Sequence, residues 1–206
     1  MKVLSVNVGL PRIVEYRGEP VVTGIFKSPI AGPVNVGELN LEGDRQADLR
    51  VHGGPLKSVY VYPSEHYKYW REQLPGAELN LGVFGENLTT EGIVETDVRR
   101  GDRLTIGTAV FEVTIPRYPC YKLGIRFEHI RWESDGSGDA DPQSASLSIV
   151  PPILRDGGNI LRRFMKSGCS GFYLSVVKTG EIAAGDAIEL VRSGAGSTIS
   201  EVFAER

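Results

Sequence analysis

Short apolar runs alternate with polar residues along most of the chain. Glycine-containing turns separate these runs about every 8–12 residues, a spacing typical of an all-β sandwich or barrel. Residues 2–8 (KVLSVNV) place Leu4, Val6 and Val8 on one side, which predicts a half-buried strand. The run that follows predicts a β-hairpin with Gly18 in its turn. The pattern therefore predicts a mainly β fold.

Helical periodicity is confined to two segments. Residues 63–74 begin with a proline suited to a first helical turn and place His66, Trp70 and Leu74 on one face. Residues 157–168 carry an apolar stripe and end at a glycine, a typical helix stop. The members of that stripe are Ile160, Leu161, Phe164 and Met165. Both apolar faces are predicted to pack against the core, so the helices are expected at the periphery of the sheet.

No change of composition divides the chain, so residues 1–206 are predicted to form one domain, with a helical appendage at about 150–168. Residues 131–146 are acidic and rich in glycine and serine, which predicts a flexible acidic loop. The tail after about Ser193 is expected to be loosely ordered.

Two Gly-Asp pairs each precede an alternating strand, in VRRGDRLTIG and IAAGDAIELV. Glycine permits a tight turn there, and an aspartate side chain can hydrogen-bond backbone N–H groups beyond itself. Asp102 and Asp186 are therefore predicted to stabilise turns rather than to act in catalysis.

Charge and apolar content exclude several classes of protein. The net charge of −3 gives no general attraction for nucleic acid or for an anionic membrane, and neither is expected as a partner. No run approaches the roughly 18 apolar residues of a membrane span. The N-terminus lacks the features of a signal peptide, which predicts a cytoplasmic location. A disulfide between Cys120 and Cys169 is not expected in that reducing compartment, and the spacing of cysteine and histidine does not fit a zinc site.

Cys120 is the first candidate for chemistry, within RYPCYKLG. Pro116 and Pro119 end a predicted strand and stiffen the segment, and Arg117 and Lys122 favour a thiolate. From the residues alone three readings stay open: a buried structural thiol, a nucleophile paired with His52 or His129, and the one thiolate ligand of a soft metal that brings its other ligands.

Polar residues group in two further segments. In GDRQADLRVHGGPLK, His52 and Lys57 can donate to an anion, and Gly53 and Gly54 permit close approach of the backbone. In GVFGENL, Asn87 can orient a ligand or satisfy backbone groups. Neither segment has the spacing of a phosphate-binding P-loop.

In chain order, these motifs resemble the MOSC domain, named for the C-terminal part of molybdenum cofactor sulfurases. They are GDRQAD with HGG and a following lysine, FGENL, GDRLTIG and PRYPCYKLG. The later SGFYLSVVKTGEIAAGD is similar to the stand-alone bacterial branch. The resemblance implies an antiparallel β-barrel with a few peripheral helices. It also implies binding of molybdenum cofactor (molybdopterin), and reduction of N-hydroxylated substrates such as hydroxylamino nucleobase analogues.

The resemblance also assigns roles to residues. Cys120 matches the thiolate that ligates molybdenum, and it is the expected catalytic residue. The remaining residues expected to contact the cofactor are donors to its phosphate and partners of its pterin edge. They are Asp44, Gln46, Asp48, His52, Gly53, Gly54, Lys57, Asn87 and Arg117. Cys169 stands where the branch usually has a basic residue, and it is expected to be a bystander.

The expected partners are a small-molecule substrate and a separate electron-donor protein, because no flavin, haem or iron–sulfur motif is visible. Pyridoxal phosphate is not expected, because the chain has no aminotransferase-like domain. The alternatives are a non-catalytic cofactor carrier or sulfur-handling module, a metal-free thiol enzyme, and a barrel interaction module in which Cys120 is only buried.

Overall fold

The computed structural model describes residues 1–47, 53–130, 158–193 and 196–206. Strands dominate these ranges, and the short helices lie between or after them. The strands are β1 Lys2–Val8, β2 Arg12–Tyr16, β3 Glu19–Thr23, β4 Ser28–Pro29, β5 Val34–Val36, β6 Val59–Pro63, β7 Leu88–Glu91, β8 Arg103–Ile106, β9 Ala109–Pro116, β10 Phe172–Lys178, β11 Gly180–Ile182 and β12 Ile188–Val191. The helices are α1 Glu65–Gln73, α2 Tyr121–Glu128, α3 Gly158–Ser167 and α4 Ile199–Ala204. The mainly β prediction is confirmed.

One large sheet has the strand order β12-β8-β9-β10-β6-β7-β1-β4, and only the β6–β7 pair is parallel. Its ends approach each other, because Lys2 forms a bridge with Ala187 and the N–H of Val3 donates to the carbonyl of Asp186 at 2.9 Å. Among the strands of the described ranges, however, no sheet closes into a barrel. The barrel therefore stays a prediction.

The predicted hairpin is present as β2 and β3, which pair only with each other. Its turn consists of Arg17 and Gly18, both with positive φ (55° and 81°), as a two-residue hairpin turn of type I′ requires. Both aspartates of the Gly-Asp pairs stabilise turns, as predicted, but the N–H donor in each turn precedes the aspartate instead of following it. Asp102 accepts from the N–H of Arg99 at 2.9 Å, and Asp186 accepts from the N–H of Ala183 at 2.8 Å.

An aromatic core fills the space between the sheet and helices α1, α2 and α3. Tyr62 stacks on Phe84 with ring centroids 4.4 Å apart, and Trp70 donates to the Tyr62 hydroxyl at 2.6 Å. The predicted apolar face of α1 lies in this core, as do Ile160 and Phe164 of α3. Met165 is 37% exposed, so the buried stripe of α3 is narrower than predicted.

The C-terminal tail is ordered over residues 196–206, and the expectation of a loose tail is wrong there. Thr198 and Glu201 form a capping box at the start of α4, and Ile199 and Phe203 are buried. Helix α2 was not anticipated. The predicted acidic loop at 131–146 lies outside the described residues. No helix in the described ranges is long and apolar enough to cross a membrane.

A buried ion pair ties α1 to the loop that precedes β10. Nε2 of His66 lies 2.8 Å from a carboxylate oxygen of Glu95, which is 4% exposed. Glu95 also accepts from the N–H of Gly171. Burial opposes the charge of His66, but its interactions with Cys169 and Glu95 outweigh burial and raise its pKa to about 10. Cys169 is therefore part of this cluster, although it remains outside the pocket described below.

The pH dependence of stability tests this pair. The pKa of His66 is raised in the folded protein, from 6.5 to about 10. Its contribution to stability is therefore complete below about pH 6.5 and is lost as the pH rises through about 10. The difference in free energy of unfolding between wild type and His66→Gln, measured by urea titration, should fall over that window.

The control is Glu91→Gln, which removes an exposed partner of Lys2. An exposed pair contributes little, so its effect should stay nearly constant over the same window. A His66→Gln effect that does not change with pH would show that the imidazolium does not stabilise the fold.

Candidate functional site

A pocket partly open to solvent, with about 600 Å³ of empty space including the solvent at its mouth, lies where β9 ends and α2 begins. Its walls come from the β9–α2 connection, strands β6 and β10, the segment after β3, the segment before β7, and the segments before and after residues 48–52. The residues that line it are Thr23, Gly24, Ile25, Lys27, Asp44, Arg45, Gln46, Ala47, Lys57, Tyr60, Gly85, Asn87, Arg117, Cys120, Lys122 and Tyr173. Long-range pairing of the strands thus brings distant segments to one site.

Cys120 occupies the N-cap position of α2, with extended backbone (φ −125°, ψ 169°). Its carbonyl accepts from the N–H of Leu123 at 2.9 Å, and its side chain is half-buried in the pocket wall. The N-terminus of a helix carries a partial positive charge that favours a thiolate. The two cysteines of the chain are not joined by a disulfide.

Arg117 brings a permanent positive charge into the same pocket while being only 6% exposed. Its guanidinium lies over the rings of Tyr60 and Phe164, 5.1 and 5.3 Å from their centroids. Burial opposes its charge; its pKa is raised chiefly by Tyr60 and Tyr173, an effect that requires ionised phenols and is therefore absent at neutral pH. Within the described part of the chain no carboxylate pairs with it, and its buried Nη1 has no hydrogen-bond partner. A buried donor of this kind is an open position for an anion.

The side chains of Asp44 and Asn87 bind mainly to the protein itself. Asp44 accepts from Lys27, from the N–H of Gly9 at 3.0 Å and from Asn87 at 2.9 Å. Asn87 also donates to the carbonyl of Asn7 and accepts from the N–H of Tyr60. Both therefore build the pocket wall, and their contact with a cofactor stays a prediction.

Lys27 neutralises the buried carboxylate of Asp44, and sequence reasoning missed it. Burial lowers the pKa of Lys27, and Asp44 offsets part of that effect. The only sign of this role of Lys27 in the sequence was the position of a charged residue directly after the apolar GIF of residues 24–26. Tyr60 and Tyr173 were also missed. Burial raises the pKa of both phenols, so they stay neutral beside Arg117.

Gln46 presents one unused acceptor to the pocket. Its amide nitrogen donates to the carbonyl of Lys57 at 2.6 Å, whereas its buried Oε1 has no hydrogen-bond partner. Lys57 and Lys122 are half-buried in the lining and add positive charge. The pocket therefore offers a hydrogen-bond donor for an anion in Arg117, a hydrogen-bond acceptor in Gln46 and a thiol in Cys120.

The structure brings together six of the predicted site residues: Asp44, Gln46, Lys57, Asn87, Arg117 and Cys120. Gly53 and Gly54 are described but do not line the pocket, so the prediction that they cradle a ligand receives no support there. Asp48 and His52 lie outside the described residues, and their roles stay predictions.

The structure describes His129, one of the two histidines considered as partners of Cys120. His129 hydrogen-bonds through Nδ1 to the carbonyl of Ile125 at 2.8 Å and lies against Phe26, outside the pocket lining. The structure thus does not place it as a catalytic partner of Cys120. Among the residues that can be described, no three His, Cys, Asp or Glu side chains are grouped to hold a metal ion. Cys120 alone supplies a soft ligand to the pocket lining.

Comparison with known proteins follows this geometry. The sequence model of the MOSC domain matches residues 48–189. The chain is 37% identical over 204 residues to the uncharacterized protein YflK of Bacillus subtilis (strain 168), covering 99% of this chain and 79% of YflK. It is 32% identical over 177 residues to a protein named "Reductase" from Gibberella moniliformis (strain M3125 / FGSC 7600), covering 84% of this chain and 26% of the fungal protein.

A solved structure agrees with these matches. The crystal structure of YiiM from Geobacillus stearothermophilus superposes with a TM-score of 0.69 at 30% identity, covering 98% of this chain and 81% of that chain. On the family match and the identity to YflK, this chain belongs to the MOSC domain family.

Proposed function

We propose that the protein binds molybdenum cofactor in the pocket of Cys120 and uses it to reduce N-hydroxylated small molecules. The observation that carries this proposal is the buried guanidinium of Arg117, whose Nη1 has no partner among the described residues, in the same pocket as the thiol of Cys120. A permanent buried charge favours an anionic ligand, and a thiol on a helix N-terminus suits a soft metal.

The residues of the pocket fit the chemical groups of this cofactor. A phosphate needs strong donors, and Arg117 with Lys57 and Lys122 can provide them. A pterin edge presents N–H donors, and the buried Oε1 of Gln46 is an acceptor without a partner. The cofactor brings its own dithiolene sulfurs, so a single protein thiolate is a sufficient ligand. This agrees with the absence of a three-ligand cluster among the described residues.

When bound, the cofactor would supply two-electron reduction of an N–O bond, in which the N-hydroxylated compound takes up two electrons and two protons and yields the amine and water. The chain would fix the geometry of that reaction. Cys120 would hold the metal, and Arg117 would balance the negative charge of the ligand. The ion pair of Lys27 with Asp44 would hold the segment after β3 against the segment after β5 in the pocket wall. The neutral phenols of Tyr60 and Tyr173 flank Arg117 and present no competing charge.

The reductase assignment and the substrate class rest on two supports. One is the resemblance of the motifs to the stand-alone bacterial branch of the family. The other is the fungal relative named "Reductase", of which this chain spans only a quarter. Electrons would come from a separate donor protein. In vitro an artificial reductant can replace that partner.

Metal analysis of protein from a cofactor-producing host tests the ligand role of Cys120. We expect wild type to carry molybdenum and Cys120→Ser to carry less than about a tenth as much, because a hydroxyl is a poor ligand for a soft metal. Cys169→Ser is the matched control and should load like wild type. Wild type without molybdenum would contradict the proposed function, and equal loading of Cys120→Ser would contradict the ligand role.

Loaded protein can then be assayed for reduction of a hydroxylamino purine with a chemical reductant. Turnover by wild type that is lost in Cys120→Ser would support the reductase. A loaded protein that fails to reduce any N-hydroxylated compound would instead identify a cofactor carrier.

Replacement of Arg117 by an apolar side chain distinguishes a role of this residue in ligand binding from a role in folding. A buried charge without an ionic partner costs stability. The free energy of unfolding of cofactor-free Arg117→Met should therefore equal that of wild type or exceed it by about 1–4 kcal/mol. The same variant should retain at least about tenfold less cofactor, a loss of about 1.4 kcal/mol or more. Urea unfolding and metal analysis measure the two effects.

Arg103→Met is the control for this variant, because Arg103 is exposed on β8. Its stability should change by less than about 0.5 kcal/mol, with normal loading. If Arg117→Met bound as much cofactor as wild type, the guanidinium would not be a hydrogen-bond donor to the anionic ligand. If it unfolded instead, the guanidinium would be required by the fold itself.

A further inference from the structure

The segment that carries Arg117 and Cys120 rests on the C-terminal helix. Tyr118 stacks its ring on Phe203 of α4, with centroids 5.3 Å apart and planes at 13°. The Tyr118 hydroxyl donates to the carbonyl of Val202 at 3.1 Å. Tyr118 thus faces α4, while Arg117, directly before it, and Cys120, two residues after it, line the pocket.

Helix α4 has its own anchors and is a fixed support. The N–H of Ile199 donates to the carbonyl of Val98 at 2.9 Å, and the N–H of Ser200 donates to the carbonyl of Glu95 at 3.2 Å. The capping box of Thr198 and Glu201 fixes the first turn, with bonds of 2.7 and 3.1 Å. These contacts would hold the ring of Phe203 in place even without Tyr118.

Two further contacts support the same connection. Arg206 covers the ring of Tyr118, with its guanidinium carbon 4.3 Å from the ring centroid. On the side of the sheet, the N–H of Arg117 approaches the carbonyl of Gly171 at 3.4 Å, a long hydrogen bond. The side chain of Tyr118 therefore attaches the connection between Pro116, where β9 ends, and the first turn of α2 to helix α4.

We propose that Phe203 is a positioning residue for the pocket: through Tyr118 it holds Arg117 and Cys120 in their places. Helix α4 begins after residue 189, where the match to the MOSC domain ends. The site of this chain is thus completed by a segment outside the matched region. This inference rests on the proposed function only in assigning a cofactor to the two pocket residues. The order of the connection is a property of the chain alone.

Hydrogen–deuterium exchange on the cofactor-free full chain tests the support directly. We expect Phe203→Ala to exchange at least about tenfold faster than wild type in a peptide covering 117–123, through local opening. Phe203→Tyr keeps the stacked ring and should restore slow exchange. Leu79→Ala is the matched control, because Leu79 is also 7% exposed but lies in the aromatic core. It should leave exchange in 117–123 within about twofold of wild type.

Unchanged exchange in Phe203→Ala, or an equal increase in Leu79→Ala, would overturn the positioning role. If Phe203→Ala does not fold, Tyr118→Leu removes the same ring pair from the other side and is judged by the same criterion. In a cofactor-producing host, Phe203→Ala should lose molybdenum while Leu79→Ala keeps it. If Phe203→Ala exchanged fast in 117–123 but bound a normal amount of molybdenum, α4 would not be needed to complete the site. Wild type without molybdenum would refute the proposed function and leave exchange to decide the positioning.

Discussion

The constraint on which the site depends is the burial of a permanent positive charge. Arg117 lies between aromatic rings with no carboxylate partner in the part of the chain that is described. Proteins rarely leave such a group unpaired, because the loss of hydration is not recovered inside the chain. In the function that we propose, a ligand of opposite sign compensates this charge. Its position in the same pocket as the thiol of Cys120 limits the chemistry of that ligand.

One part of the pocket wall is neutralised by an ion pair of the chain itself. Lys27 pairs with Asp44, and Asn87 joins that carboxylate to the backbone of β1 and β6. These groups use their hydrogen bonds on each other, so they shape the cavity more than they recognise its content. In our proposal, recognition falls to Arg117 and Gln46, which have a donor and an acceptor without a partner among the described residues, together with the thiol of Cys120 and the charges of Lys57 and Lys122. A pocket with a rigid wall and few reactive groups suits a cofactor that carries its own reactivity.

Local signals predicted much of this arrangement. The prolines around Cys120 marked the end of a strand, and the motifs identified the family. Non-local effects were not readable. Lys27 precedes β4 of the large sheet, whereas Asp44 follows β5, which pairs with β11 in a separate sheet, so only tertiary packing brings them together. In β1 a register shift between Val3 and Ser5 buries Val3 and Val6 fully, while Leu4 and Val8 are only half-buried, against simple alternation. Helix α4 was missed although TISE at 198–201 is a capping-box signature.

X-ray absorption at the molybdenum edge of the loaded wild-type protein tests the central claim most directly, because it identifies the atoms bound to the metal. If Cys120 is the protein ligand, the spectrum will contain a thiolate sulfur in addition to the dithiolene sulfurs of the cofactor. A coordination shell with only the dithiolene sulfurs would contradict the account.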